Sequence, residues 1–154
     1  MSTDFPLTPE QFCSIVRHTP LVSIDLVIQD GDGHVLVGHR TNEPAKGVYF
    51  VPGGIIRKDE RLDEAFYRIL LGETGLTIPR SEAEPLGVFE HFYPTNRYSE
   101  PGYGTHYIVN AYRLALTHRP KVRLDDQHRD IRWIRPDTLL AATDVHDNTK
   151  AYFR

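Results

Sequence analysis

The chain has 154 residues, a net charge of −3 and 25% charged residues, which is enough for one core-forming domain over residues 1–154. This charge balance gives no electrostatic basis for binding nucleic acid or a membrane surface. One cysteine, Cys13, excludes an intrachain disulfide, and we expect its thiol to be buried on a first helix.

The sequence shows no signal-peptide pattern and no apolar stretch of membrane-spanning length. A reducing cytoplasm is therefore the expected location.

The first half of the chain predicts one short helix followed by strands. Thr8 caps the helix, and Gln11 completes a capping box with it. Leu21–Gln29 alternates as a strand, the turn DGDG follows, and HVLVGHR forms the returning strand. The short apolar stretch VYFVP predicts one more strand.

The second half alternates strands and helices unevenly. A helix over roughly residues 61–74 ends at Gly75, a typical C-terminal glycine. Three further strands are predicted in the stretches EPLGVFEHFY, THYIVNAYRLAL and DIRWI. A short helix is predicted in RPDTLLAA. Connections of hairpin length favour an α/β (α+β) fold with helices packed on a mixed sheet, over a doubly wound parallel sheet.

The helix over residues 61–74 carries a carboxylate on its apolar face. At about 100° per residue, Glu73 shares one face with Leu62, Ala65, Phe66 and Ile69. An ionised carboxylate is costly there unless it is paired or holds a metal. Arg68 points elsewhere and is expected to pair with Glu64. The alternative is that Glu73 lies in the last turn and reaches solvent.

The residues before this helix suit an anionic ligand and a cation. Gly53 and Gly54 are expected to form a turn that lets the backbone approach a ligand closely. The helix N-terminus, with Arg57 and Lys58 nearby, favours anions. A carboxylate beside exposed backbone carbonyls suits Mg²⁺, which prefers oxygen ligands and is often completed by substrate phosphates.

The stretch VPGGIIRKDERLDEAFYRILLGETGLTIP resembles the Nudix box. The positions that match its spacing are Gly54, Glu60, Arg68, Glu73, Gly75 and Leu76. Two family glutamates, which help assemble a metal cluster that activates water against phosphorus, are replaced by Ile69 and Gly72. The resemblance implies an α/β/α sandwich with a mixed sheet.

The same two gaps occur in the GDP-mannose mannosyl hydrolase branch. The chain resembles that branch in TPLVSIDLVIQ, GHRTNEPAKGVYFVPGG, KDERLDEAF, EHFY, THYIVNAYR, DDQHRDIRW and DVHDNTKAYF. The resemblance implies a homodimer that uses Mg²⁺, with Mn²⁺ as an alternative, to hydrolyse a nucleotide sugar. Water attacks the anomeric carbon of GDP-mannose or GDP-glucose with inversion and releases GDP.

The resemblance also assigns metal ligands and a base. It implies metal ligation by the Gly53 carbonyl, the Glu73 carboxylate and the Gln127 amide. His128 corresponds to the general base that takes a proton from water, a role suited to a side chain whose ordinary pKa lies near neutral pH. The alternative for His128 is a solvated loop histidine within the acidic run DDQHRD.

Four further residues correspond to ligand contacts in the branch. Arg40 and Tyr107 match groups on the leaving diphosphate, and His91 matches a residue near the leaving group. Asp25 matches a carboxylate on the sugar side. The alternatives are a structural hydrogen bond for Asp25, a core position for Tyr107 and a surface position for Arg40.

One position departs from the branch within the site. Ile55 stands where a branch member has an arginine that assists the leaving diphosphate, and Arg57 is a candidate substitute. Arg68 and Glu60 are expected to support the box as a structural ion pair. The loop PTNRYSEPGYG is either a lid over the sugar or an unstructured connection.

Two other functions stay open at the level of sequence. One is an ordinary Nudix pyrophosphohydrolase that cleaves a nucleotide sugar at phosphorus. The other is a catalytically silent domain that binds a nucleotide sugar as a sensor.

Overall fold

A mixed seven-stranded sheet forms the centre of the protein in the computed structural model, which describes residues 6–123 and 128–154, with the backbone alone at 128 and 129. The strands are β1 (Leu21–Gln29), β2 (Val35–Arg40), β3 (Tyr49–Phe50), β4 (Gly53–Ile55), β5 (Glu84–Tyr93), β6 (Thr105–Ala115) and β7 (His128–Ile134).

Within the part of the chain that the structure describes, four helices and two 3₁₀ turns accompany the sheet. They are α1 (Pro9–His18), α2 (Leu62–Thr74), α3 (Pro136–Ala141), α4 (Asp147–Lys150) and the 3₁₀ turns Arg80–Glu82 and Ala151–Phe153. The capping box of Thr8 and Gln11 is present, and Gly75 ends α2 with φ of 81°. Within the described ranges, no helix has the length and apolar character needed to cross a membrane.

Parallel and antiparallel pairings coexist in this sheet. The strand order is β3-β2-β1-β6-β5, with β4 paired to β1 and β7 paired to β2. The β1–β6 pairing is parallel, whereas the other strand pairs are antiparallel. The predicted fold class, helices on a mixed sheet, is confirmed.

Alternate residues of β1 contact helices on opposite faces of the sheet. Ile24, Leu26 and Ile28 belong to the buried cluster that includes Phe66 and Leu70 of α2. On the other face, Val27 packs in a second cluster with Leu139 of α3 and Val145. The period-2 alternation of the strand therefore supplies two cores, one under each helical layer.

The segment before α2 is not the predicted glycine turn. Gly53 and Gly54 lie in β4, antiparallel to β1, with Gly53 opposite Asp25. A Cβ atom at Gly53 would lie 2.3 Å from Asp25 Oδ1, so glycine is required there by close approach of the two strands.

Two burial predictions were also wrong. Leu62, on the apolar face of α2, is 39% exposed, and Cys13 is half-buried.

Candidate functional site

A cavity of about 440 Å³ lies between the sheet and the C-terminal half of α2. Every fully described residue that the sequence assigned to the site lines it: Asp25, Arg40, Gly53, Arg57, Glu73, His91 and Tyr107. Gln127 lies outside the described residues. The same holds for the side chain of His128, whose backbone begins β7 in register with Arg40.

The end of α2 offers oxygen ligands but fewer than the family pattern contains. Glu73 and Gly53 both line the cavity, and Glu73 Oε2 is buried. Ile69 is 3% exposed and packs against β4, since a Cβ at Gly54 would lie 3.0 Å from Ile69 Cγ1. A Cβ atom at Gly72 would have open space around it, with no other heavy atom within 4 Å. The Glu73 carboxylate and the Gly53 carbonyl are oxygen ligands that suit Mg²⁺ or Mn²⁺. The Ile69 side chain, which is a hydrocarbon, offers no ligand atom.

An ion pair holds the segment between β4 and α2. Arg68 donates from Nε to Glu60 Oε2 over 2.6 Å, and from Nη2 to Glu60 Oε1 and to the Ile55 carbonyl over 2.9 and 2.8 Å. This guanidinium lowers the pKa of Glu60. The Glu60–Arg68 pair is confirmed, and the alternative Arg68–Glu64 pair is wrong, because Glu64 accepts from the Arg61 backbone N–H instead.

Asp25 is a half-buried carboxylate on β1 that also lines the cavity. Its Oδ2 atom accepts a 2.5 Å hydrogen bond from the phenol of Tyr152. Burial raises the pKa of Asp25 to about 6, although Tyr152 and the positive charge of Arg40 both act to lower it. Asp25 makes the structural hydrogen bond that was the alternative prediction, and it also lines the cavity. Its contact with a sugar stays a prediction.

His91 and Tyr107 remain uncharged near neutral pH. His91 is 4% exposed, and its burial, together with the nearby His146, lowers its pKa to about 4. Burial also raises the pKa of Tyr107 above its ordinary value, so its phenol keeps its proton. These two residues can therefore act as hydrogen-bonding groups, but His91 does not supply a positive charge to an anionic ligand.

Arginine side chains dominate the charge of the cavity wall. Arg40 is half-buried, donates from Nε to the Pro44 carbonyl over 3.0 Å and lies over the ring of Phe50. Among the described residues, the wall contains five arginines and three carboxylates, namely Arg40, Arg57, Arg68, Arg97, Arg123, Asp25, Glu43 and Glu73. This excess of positive charge suits a ligand with several negative charges, such as a diphosphate.

The loop over residues 94–104 is held together by hydrogen bonds of Asn96. Asn96 is 2% exposed, donates to the carbonyls of Glu100 and Tyr103, and accepts from the Glu100 backbone N–H. Tyr98 contacts the ring of Phe12 on α1. The loop is thus a defined structure that carries Arg97 into the cavity wall, and its closure over a sugar stays a prediction.

Three residues of the site were missed from sequence. Arg97 and Arg123 lie in polar connections where nothing in the pattern separates them from surface cations. Tyr152 lies within DVHDNTKAYF, a stretch that resembles the branch but had no assigned role. Its contact with Asp25 joins residues 127 positions apart.

Comparison with known proteins identifies the family of the chain. The NUDIX domain model matches residues 19–154. Low-salt glycan biosynthesis protein Agl8 from Haloferax volcanii is 39% identical over 127 residues, covering 82% of this chain and 78% of that protein.

Two solved structures share the fold. The MutT protein from Methanosarcina mazei has a TM-score of 0.71 at 19% identity, and the match covers 88% of this chain and 92% of the MutT chain. The NUDIX domain of Shewanella oneidensis NrtR, solved with ADP ribose, has a TM-score of 0.65 at 20% identity, with coverage of 95% and 96%. With a family model that matches most of its length, the chain belongs to the Nudix family of hydrolases.

Proposed function

We propose that the protein is a Mg²⁺-dependent hydrolase of GDP-mannose, and of GDP-glucose, that releases GDP and the free sugar. Water attacks the anomeric carbon with inversion. The observation that carries this proposal is Ile69, an apolar side chain packed against β4 where the family pattern has a metal-binding glutamate.

The altered helix face suits attack at carbon better than attack at phosphorus. With Ile69 and Gly72 in place of two glutamates, Glu73 is the carboxylate that α2 presents to the cavity within the described residues. Activating water beside a phosphorus atom calls for a cluster of metal ligands, whereas stabilising charge on a leaving diphosphate requires fewer.

The cation would be held by the Glu73 carboxylate, the Gly53 carbonyl and the Gln127 amide. When bound, Mg²⁺, or Mn²⁺ in its place, neutralises negative charge that grows on the departing diphosphate.

The protein's own side chains would bind the rest of the substrate. Arg40 and the protonated phenol of Tyr107 bind the diphosphate, His91 lies near the leaving group, and Asp25 faces the sugar. His128 takes a proton from the attacking water. The similarity to a glycan biosynthesis protein supports a nucleotide sugar as the substrate class.

Hydrolysis in oxygen-18 water tests the bond that is cleaved. With GDP-mannose, attack at carbon yields GDP and mannose, and the label enters the sugar. Label in GMP or in mannose 1-phosphate would refute the proposal. GDP-glucose and nucleotide sugars with other bases, measured in parallel, define the preferred nucleotide and hexose.

A second candidate is a pyrophosphohydrolase that cleaves a nucleoside diphosphate derivative at phosphorus. Glu73 at the cavity favours it, as does a fold shared with a domain that binds ADP ribose. Its products from GDP-mannose would be GMP and mannose 1-phosphate. A silent sensor would instead bind the nucleotide sugar without any turnover.

A further inference from the structure

The phenol of Tyr152 joins two residues of the cavity wall. Its oxygen lies 2.5 Å from Asp25 Oδ2 and 3.4 Å from His91 Nε2. Asp25 and His91 both line the cavity, whereas Tyr152 is not among the described residues that do. Three distant segments meet at this point, because Asp25 lies in β1, His91 in β5 and Tyr152 in the 3₁₀ turn near the C-terminus.

The single phenol proton of Tyr152 determines which group donates and which accepts in these two contacts. A phenol has one hydrogen to donate, and the shorter contact assigns that hydrogen to the Asp25 carboxylate. Toward His91 the phenol oxygen then acts as acceptor, so neutral His91 carries its proton on Nε2. Its other ring nitrogen, Nδ1, is left as an acceptor, and none of the described residues donates a hydrogen bond to it.

We propose that Tyr152 is a positioning residue that holds Asp25 and His91 as paired hydrogen-bond acceptors for hydroxyl groups of the ligand's sugar. The inference rests on the proposed function, because it takes the sugar as the group at this wall. Acceptor atoms select hydroxyl groups and repel phosphate oxygens, which places the diphosphate toward the arginine-lined wall.

The surroundings of Tyr152 allow its hydroxyl to be removed without loss of packing. Its ring makes an edge contact with Phe89 at 4.8 Å between centroids and packs against the cluster that contains Val27 and Leu139. Tyr152→Phe keeps this ring in place. Tyr103→Phe is the matched control, because Tyr103 also donates its phenol proton to a carboxylate, that of Glu100, but does not line the cavity.

The first test reads the tautomer of His91 directly. We expect two-bond ¹H–¹⁵N spectra at pH 8 to show wild-type His91 protonated on Nε2. Tyr152→Phe should shift both ring ¹⁵N signals of His91, and Tyr103→Phe should leave them unchanged. A wild-type proton on Nδ1, or ring signals that do not respond to Tyr152→Phe, would overturn the proposal.

The second test couples the variant to the sugar. Tyr152→Phe should lower kcat/KM for GDP-mannose by about tenfold to a hundredfold, with thermal stability close to that of the control. For the monodeoxy GDP-mannose that lacks the contacted hydroxyl, wild type and Tyr152→Phe should differ by less than about threefold. The Tyr152→Phe substitution and the removal of one sugar hydroxyl each lower kcat/KM. If the two factors multiply fully for every monodeoxy sugar, Tyr152 does not act through a sugar hydroxyl.

The two tests separate this proposal from the proposed function. Label from oxygen-18 water that enters phosphate would refute cleavage at carbon, yet the deoxy-sugar comparison would still decide the role of Tyr152. The tautomer measurement requires no turnover, so it decides the hydrogen-bond chain even for a protein that only binds the nucleotide sugar.

Discussion

Two carboxylates, Asp25 in the cavity wall and Glu60 outside that wall between β4 and α2, have their pKa values shifted in opposite directions. Glu60, beside β4 and α2, is paired with the guanidinium of Arg68, which lowers its pKa. Asp25, on the sheet, has a neutral phenol as its hydrogen-bond partner, and burial raises its pKa to about 6.

The difference shows how each region serves the site. A buried charge is costly unless a cation or several hydrogen bonds compensate for it. The Glu60 carboxylate is compensated by the Arg68 guanidinium without a ligand, so this pair supports the structure. The Asp25 region is incompletely compensated, which suits a group that awaits hydrogen bonds from a ligand.

The largest effect is expected outside both regions, at His128. His128→Gln should lower kcat by about 10²–10⁴ and leave KM nearly unchanged, because it removes the base and none of the binding groups. Steady-state kinetics with GDP-mannose measure this split, and His118→Gln provides a control at an exposed histidine. Turnover close to that of wild type would remove His128 from the base role.

The next largest effect is expected in the pH dependence of stability, when the free energy of unfolding of Asp25→Asn is compared with that of wild type. Because the folded pKa of about 6 exceeds the ordinary 3.8, wild type loses stability as the pH rises through this window, and asparagine does not. Relative to wild type, the variant should gain roughly 2.4 kcal/mol in the free energy of unfolding between pH 4 and pH 7.

Urea unfolding at several pH values measures this difference. Asp32→Asn, at an exposed turn, should show no such trend. If the difference between Asp25→Asn and wild type does not vary with pH, the proposed contrast between the two carboxylates is wrong.

Removal of the paired carboxylate should have the opposite pH dependence. Glu60→Gln should cost about 2 kcal/mol at pH 7, between the values for exposed and fully buried pairs, since the Glu60 side chain is 13% exposed. The folded pKa of Glu60 lies below its ordinary 4.5, so this stabilisation is present above that pH and lost below it.

The exposed neighbour on α2 provides the control for Glu60. Glu64→Gln should change the free energy of unfolding by less than about 0.5 kcal/mol. Equal losses for Glu60→Gln and Glu64→Gln in urea unfolding would show that the ion pair does not hold the β4–α2 segment.

The smallest effect concerns Ile55, the apolar residue that stands where a branch member has an arginine. Ile55 lines the cavity, and Ile55→Arg should raise kcat/KM for GDP-mannose by up to about tenfold through added charge near the diphosphate. Ile55→Leu, which keeps the apolar contact, should leave the rate unchanged. A lower rate for Ile55→Arg at unchanged stability would indicate that Arg57 already occupies that position.

Local patterns in the chain predicted most elements of the fold. The capping box at Thr8, the glycine that ends α2 and the alternation of β1 all depend on neighbours a few positions away. The same local reasoning failed for Arg68. An i,i+4 pair on the helix was available in Glu64, but the segment that precedes α2 folds back and presents Glu60 in a better geometry.

The sequence by itself determined the periodic elements, the box motif and the types of side chain available to the site, because these follow from short-range spacing. Tertiary structure alone decided that β4 lies against Asp25, that Tyr152 reaches it from the far end of the chain, and that Asp25 titrates near pH 6. The reason is that desolvation and hydrogen bonding depend on which distant segments exclude water from a group, and no local pattern records this.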